Sequence, residues 1–466
     1  MSLIASSQIT IILGLGVTGL SVARFLSHQK KSFIVMDTRS TPPAIGDFQK
    51  EFKDVKCILG ELDAELLSIA SEIIISPGID LKTPEVAAAI KAGASVIGDI
   101  ELFARAVHQS DAKKSIAAVT GSNAKTTVTT LVGQMAKDAG VKVAIGGNIG
   151  KPALDLLLED ADLYVLELSS FQLESTFSLD ATVSTVLNIS EDHMDRYAAL
   201  ADYHRAKQKI YFGAETVVIN RADPLTQPPL AQGVKRITFG LNRPDRNGFG
   251  LINRGNVTHL AYEFTALMPA AELQLRGTHN IVNCLAALAM GTALELPIDT
   301  MLTTLKNFKG LAHRCQWVAT VDGVEYINDS KATNIGATVA AINGFMGEAS
   351  AVTNTSDKKI ILIAGGQAKG ADFSTLAKNL KDKVAVIVLI GIDAKLIERS
   401  VINAGMTDAI EVINVTSLTE AVYASKKHAK ANDIVLLSPA CASFDMFDNF
   451  EDRGNQFINI VEGLVV

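Results

Sequence analysis

The chain has 466 residues, 48% of them hydrophobic, and sets 43 Lys and Arg against 50 Asp and Glu for a formal net charge of −7. At roughly 150 residues per domain this is about three domains, with apolar mass for several cores. The interspersed, mildly acidic balance excludes a nucleic-acid or polybasic membrane surface.

Four scattered cysteines, Cys57, Cys284, Cys315 and Cys441, make no C-x-x-C pair and no metal-ligand spacing, so reduced thiols in a cytoplasmic protein are expected. Met1 to Leu15 is apolar but lacks a basic start and a cleavage-like end, and reads as a strand, not a signal peptide. No apolar run approaches the ~20 residues that span a bilayer. Residues 9–13 form that strand, Gly14-Leu15-Gly16-Val17-Thr18-Gly19 a turn, and a helix follows to about Gln29. A second strand, Phe33 to Met36, ends at Asp37, the spacing of a dinucleotide-binding unit. The glycines admit any diphosphate, so NAD and a UDP-sugar both stay open. Strands near Lys56–Leu59, Glu72–Ile75 and Ser95–Ile97 continue the alternation, with Ser76-Pro77-Gly78 as another strand-end turn, giving a Rossmann-like unit over 1–110.

A boundary is expected near Asp111–Lys114. Beyond it Thr120 to Thr127, T-G-S-N-A-K-T-T, lies between the strand Ile116–Val119 and a helical pattern over Val128–Ala139. A helix start with free N–H groups favours an anion. Lys125 places its ammonium against the outer phosphates, and Thr126 has the hydroxyl that such loops put on Mg²⁺. Gly121 stands only four residues before the lysine, and Ala124 occupies a place where glycine is usual. Two further strands, Leu163–Leu166 and Val183–Ile189, end at Glu167 and shortly before Asp192 and His193. In a parallel sheet these ends share one rim, so Lys125, Thr126, Glu167 and His193 converge although each alone reads as an ordinary surface residue. Mg²⁺ prefers oxygen, so the histidine is the less expected member. On the next helix nothing separates Lys207 from an exposed lysine. Phe239 to Met268 reads as a hairpin-rich insertion. Asn280 and Asn283 then share a helix face, suited either to capping or to a purine edge. This central ATPase-like sheet spans 111–310.

Near Gly310 a second Rossmann-like pattern begins, covering 311–466, with strands at Gly323–Ile327, Ile360–Ile363, Val384–Ile390, Ile410–Val415 and Ile434–Leu437. Its strand-end loops, Asn328–Asn334, Gly365–Gly370 and Ser438–Asp445, carry lysines suited to a carboxylate or phosphate. The expected fold is therefore α/β in three domains.

Together these stretches, with Glu167–Leu173, Asp192–Tyr197, Gly277–Asn283 and His313-Arg314, resemble the Mur ligases, which build the peptide of bacterial cell-wall precursors. The resemblance covers nearly the whole chain. The absence of an Asp-Asn-Pro-Arg stretch favours the glutamate-adding step. It implies an ATP-dependent ligase that joins D-glutamate to UDP-N-acetylmuramoyl-L-alanine through an acyl phosphate. The UDP-substrate would meet Leu15, Thr18, Asp37, Thr38, Arg39, Gly78 and Asn148. ATP would meet Gly121, Ser122, Asn123, Ala124, Lys125, Thr126, Thr127, Asn280, Asn283, Arg314, Asp329 and Lys331. Two Mg²⁺ ions would sit on Thr126 and Glu167, and on His193 with a carbamylated Lys207. D-Glutamate would meet Thr333, Lys369, Ser443, Phe444 and Phe450. Lys125, His193, Lys207 and His313 are the expected catalytic residues. A cytoplasmic monomer with no nucleic-acid or membrane partner is expected. The alternatives are an NAD-dependent oxidoreductase and a folate-glutamylating ligase of the same superfamily.

Overall fold

The structure, a computed structural model, describes residues 9–194, 196–228, 233–346 and 358–465. Residues 1–8 and Asp195 of the Asp192–Tyr197 stretch lie outside the described residues. Three α/β sheets follow one another along the chain, as the alternation of apolar strands and helices requires.

The first sheet holds β1 (Thr10–Leu13), β2 (Ile34–Asp37), β3 (Cys57–Leu59), β4 (Glu72–Ile75) and β5 (Ser95–Ile97), all parallel, in the order β3-β2-β1-β4-β5. Its strands are apolar on both faces. Ile11 and Leu13 pack into one helical layer, while Ile12 packs into a core that continues into the second sheet through Phe103 against Tyr164, 5.1 Å apart. The chain runs outward from β1 to β3 and then crosses to β4 on the other side. The strand ends of β1 and β4 thus form a crevice at the point where the order reverses.

The second sheet holds β6 (Ser115–Thr120), β7 (Val143–Gly147), β8 (Leu163–Glu167), β9 (Val183–Val186), β10 (Thr216–Asn220), β11 (Lys235–Phe239), β12 (Gly248–Arg254), β13 (Val257–Tyr262) and β14 (Thr265–Pro269). Their order is β14-β13-β12-β11-β10-β9-β6-β8-β7. The expected insertion is corrected here: β12 pairs with β11, and the hairpin strands extend the central sheet itself. They do so because Phe249, Leu260 and Met268 complete the core beneath the helix Thr278–Ala293. The strand expected over Val183–Ile189 stops at Val186. Past Leu187 the chain leaves the ladder to hold the phosphate loop. Ser122 N–H donates to the Asn188 carbonyl at 2.9 Å, and Asn123 N–H to its side-chain oxygen at 2.8 Å.

The third sheet runs β15-β16-β20-β17-β18-β19, with β15 (Gln316–Val321), β16 (Val324–Asn328), β17 (Ile360–Gly365), β18 (Val384–Ile390), β19 (Glu411–Asn414) and β20 (Ile434–Leu437). All pairs are parallel except the edge hairpin β15–β16, whose first strand the sequence pattern does not reveal. Among the described residues no helix is long and apolar enough to cross a membrane.

Candidate active site

The first crevice is a cavity of ≈ 610 Å³ lined by Thr18, Asp37, Thr38, Arg39, Gly78 and Asn148, among others. Gly14, at φ +99°, and Gly19 make it possible: a Cβ on Gly19 would stand 1.9 Å from the Gly14 carbonyl oxygen, so only glycine lets the helix Val17–His28 start so close to β1. The Leu15 side chain is fully buried in the core and does not line the cavity. Its N–H donates to Asp37 Oδ2 at 2.6 Å, and Arg39 supplies three more donors to the same carboxylate. Burial would raise the Asp37 pKa, but these bonds hold it below the usual carboxylate range. Four bonds fill the acceptor sites of a carboxylate, leaving no lone pair for the ribose diol that an NAD site binds there. What faces the cavity instead is the half-exposed Arg39 guanidinium, a partner for phosphate.

Asn148 and Gln172 reach this cavity from the second sheet. Gln172 was not singled out from the sequence. Its signal is the Ser169-x-x-Gln172 capping box, which fixes its side chain at the helix Ser170–Glu174.

At the central rim, the helix Lys125–Asp138 starts directly after Ala124, which is left-handed at φ +67°. Lys125 Nζ donates to the Gly121 and Ser122 carbonyls, both at 2.9 Å, and burial lowers its pKa. Thr126 Oγ1 donates to Glu167 Oε2 at 2.7 Å and receives Arg314 Nη2 at 2.6 Å. Asn148 Nδ2 donates to Glu167 Oε1 at 2.8 Å, so the Glu167 carboxylate is joined to the edge of the first cavity. Lys207 is 1% exposed, with Nζ 3.2 Å from Thr120 Oγ1 and 4.7 Å from the Tyr203 ring centre. Burial, followed by the charge of Lys125, drives its pKa well below the ordinary lysine value. The structure therefore distinguishes this lysine from the exposed helical kind. His193 stands on the neighbouring loop, left-handed at φ +57°, its ring 4.8 Å from Phe171. Among the described residues no three His, Cys, Asp or Glu side chains gather as a metal cluster.

The third sheet closes against this rim. Besides Arg314, Asn334 Nδ2 donates to Asp192 Oδ2 at 3.3 Å. Asp329 is buried and its pKa is pushed up to about 7 by desolvation, although Ser438 Oγ and Cys315 N–H donate to it at 2.9 and 3.1 Å. Lys331 Nζ lies 3.7 Å from the Phe450 ring centre, and His313 meets the same ring edge-on. Thr333 continues the strand-end loop past Lys331, its N–H bonded to the Lys331 carbonyl at 2.8 Å. Lys369 Nζ lies 5.6 Å over the exposed Phe444, beside buried Ser443. Asn280 and Asn283 are buried and bonded to each other at 3.1 Å. Arg453 was also not anticipated. Fully buried, it donates to the Ser330 side chain and carbonyl and to the Cys441 carbonyl, pinning two strand-end loops together. On a helix it reads from sequence as a surface arginine.

A diphosphate-sized crevice, a phosphate loop with a carboxylate hydrogen-bonded to it, and an arginine that reaches that loop from just before the third sheet are the parts of an enzyme that uses nucleotide phosphate. Residues 8–98 match the Mur ligase MurD-like N-terminal domain, 119–291 the Mur ligase middle domain and 313–441 the Mur ligase glutamate ligase domain. The chain belongs to the Mur ligase family and is an ATP-dependent ligase. It is 51% identical to the UDP-N-acetylmuramoylalanine–D-glutamate ligase of Pseudomonas fluorescens strain Pf0-1, over 100% of both chains. It is 47% identical to the enzyme of that name from Acinetobacter baylyi, over 99% of this chain and 100% of that one. In fold it is similar to a pseudomurein peptide ligase type C from Methanothermus fervidus, with TM-score 0.58, 18% identity and coverage of 98% and 100%. It is likewise similar to UDP-N-acetylmuramate-alanine ligase from Thermotoga maritima, with TM-score 0.57, 18% identity and coverage of 97% and 99%.

Proposed function

We propose that this chain adds D-glutamate to UDP-N-acetylmuramoyl-L-alanine in cell-wall precursor synthesis, converting ATP to ADP and phosphate. The observation that carries this reading is the chain of contacts Asn148–Glu167–Thr126–Arg314, which runs from the first cavity across the phosphate loop to the third sheet. The relatives, half identical over their whole length, are named for this reaction.

A carboxylate is a poor acyl donor because its oxide leaving group is too basic. Transfer of the γ-phosphoryl group to it gives an acyl phosphate, which the neutral amine of D-glutamate attacks to form the amide and release phosphate. Positioning and charge neutralisation are the main needs. Arg39, Thr18 and the Gly78 turn would hold the UDP moiety so that the acid end points past Asn148 to the rim. Lys125 would leave its carbonyl partners for the outer phosphates, and Arg314, Asn280, Asn283, Asp329 and Lys331 would surround the nucleotide. Thr333, Lys369, Ser443, Phe444 and Phe450 would hold D-glutamate, with His313 near its amine.

The donor set suits Mg²⁺: the Thr126 hydroxyl and Glu167 carboxylate are 2.7 Å apart, hard oxygens of the kind that would hold the ion. A second ion would lie toward His193 and Lys207. Mg²⁺ bound there would offset phosphate and carboxylate charge. Burial shifts Lys207 toward the neutral amine, the form that adds CO₂ to become an anionic oxygen ligand. The same reading has the protein working in the cytoplasm as a monomer, its four cysteines as free thiols.

The test is phosphate release from ATP and Mg²⁺ with each candidate acceptor, with NADH absorbance followed in parallel. Release that requires both UDP-N-acetylmuramoyl-L-alanine and D-glutamate supports the reading. Release driven by a folate acceptor, or hydride transfer without phosphate, overturns it.

A further inference from the structure

Arg196 belongs to the Asp192–Tyr197 stretch and none of the roles above uses it, yet few side chains in the molecule are so heavily engaged. Its Nη1 donates to the Pro77 carbonyl at 2.9 Å and its Nη2 to the Ile79 carbonyl at 3.4 Å, so it grips both sides of Gly78 in the rim of the first cavity. The same Nη2 donates to Glu174 at 2.6 Å, on the helix that presents Gln172 to that cavity. Its guanidinium carbon lies 4.3 Å from the centre of the Phe171 ring. The His193 ring lies 4.8 Å from the same centre. Phe171 is thus a wedge between the arginine that holds the UDP-side turn and the histidine of the central rim. The side chain is only 12% exposed, so these contacts are sheltered from water and from screening salt. The path continues inward. Phe171 packs on Tyr197, Tyr197 on Tyr203, and the Tyr203 hydroxyl lies 3.1 Å from Ser122 Oγ in the phosphate loop.

We propose that Arg196 is a positioning residue that couples the two sites: by fixing the Pro77–Ile79 turn and, through Phe171, the ring of His193, it makes occupancy of the UDP cavity favour the arrangement of the rim that holds magnesium and nucleotide phosphate. This rests on the ligase reading for the identity of the two ligands, but not for the contacts. A movement of the turn on ligand entry pulls on two backbone carbonyls held by one rigid planar group. That group cannot shift without moving the aromatic face against which the His193 ring is packed. An element with two sites biasing one arrangement gives reciprocal coupling of the two affinities.

The test is calorimetry with the non-hydrolysable nucleotide AMPPNP and Mg²⁺, with and without saturating UDP-N-acetylmuramoyl-L-alanine, on the wild type and on Arg196→Lys and Arg196→Met. In the wild type the UDP-substrate should tighten Mg·AMPPNP by at least about 5-fold, the lower end of ordinary coupling. In both variants that ratio should fall to within about twofold of one, while thermal melting confirms folded protein. Phe171→Leu should abolish the coupling on its own, and adding it to Arg196→Met should change nothing more. A wild-type ratio of one, or the same ratio in the variants, overturns the proposal. A merely structural arginine would weaken each ligand separately and leave the ratio intact. Failure of the ligase reading shows up elsewhere, as absence of acceptor-dependent phosphate release by the wild type.

Discussion

Lys125→Ala separates the chemistry from the fold. In the resting enzyme the ammonium is held by the Gly121 and Ser122 carbonyls at 2.9 Å, two hydrogen bonds of roughly 1 kcal/mol net each. Against their loss stands the removal of a charge whose burial already lowers its pKa. The variant should therefore stay folded, with stability changed by no more than about 1–2 kcal/mol. During phosphoryl transfer the same group faces developing charge, where loss of such a donor costs ~10²–10³ in rate, about 2.7–4 kcal/mol. The first cavity is built from other residues, so affinity for the UDP-substrate should hold. A second effect follows from the electrostatics. The Lys125 charge is one cause of the depressed Lys207 pKa, so its removal should raise that pKa and shrink the pool of neutral amine. Phosphate release and calorimetry with the UDP-substrate read the rate and the affinity. Turnover within a few-fold of wild type, or joint loss of UDP-substrate binding, would refute the reasoning.

Ala124→Gly should stabilise the protein. An alanine at φ +67° costs about 1–2 kcal/mol against the right-handed form, and glycine returns roughly 0.5–1 kcal/mol as chain entropy; denaturant melting should show a net gain, and a loss would contradict it. Asp99 is buried, and desolvation raises its pKa from 3.8 to about 6. Its folded pKa exceeds the unfolded one, so wild-type stability from this group is full below pH 4 and falls as the pH rises through 6. Asp99→Asn should gain about 1–3 kcal/mol over wild type at pH 7.5 and nothing at pH 4; an equal difference at both values would rule out titration as the cause. If Lys207 acts as a carbamate, activity of metal-replete enzyme should drop when CO₂ is stripped and return when it is restored. Unchanged activity would dispose of that role.

The strands of the first sheet and the phosphate loop could be read from sequence because each is a local signal: an apolar run, a glycine turn, a lysine at a helix start. Glu167 and Thr126 were placed together because parallel strands must end on one rim, and they lie within hydrogen-bond distance. What local patterns do not show is decided by distant partners. Lys207 and Arg453 look like surface residues on their helices, and only packing from other parts of the chain buries them. The hairpins over β12–β14 looked like an insertion because their edge pairing with β11 is not encoded locally. Leu15 sits in a binding motif, yet its side chain turns into the core. Asp37 carries the dinucleotide signature, but Arg39, two residues on, consumes its acceptors.

The central claim is that ATP turns an inert acid into an acyl phosphate at the rim shared by Lys125, Thr126 and Glu167. Supplying UDP-N-acetylmuramoyl-L-alanine with ¹⁸O in its carboxylate, together with ATP, Mg²⁺ and D-glutamate, tests this by mass spectrometry of the released phosphate. The account predicts one labelled oxygen in each phosphate formed. Phosphate free of label, alongside amide product, would contradict it.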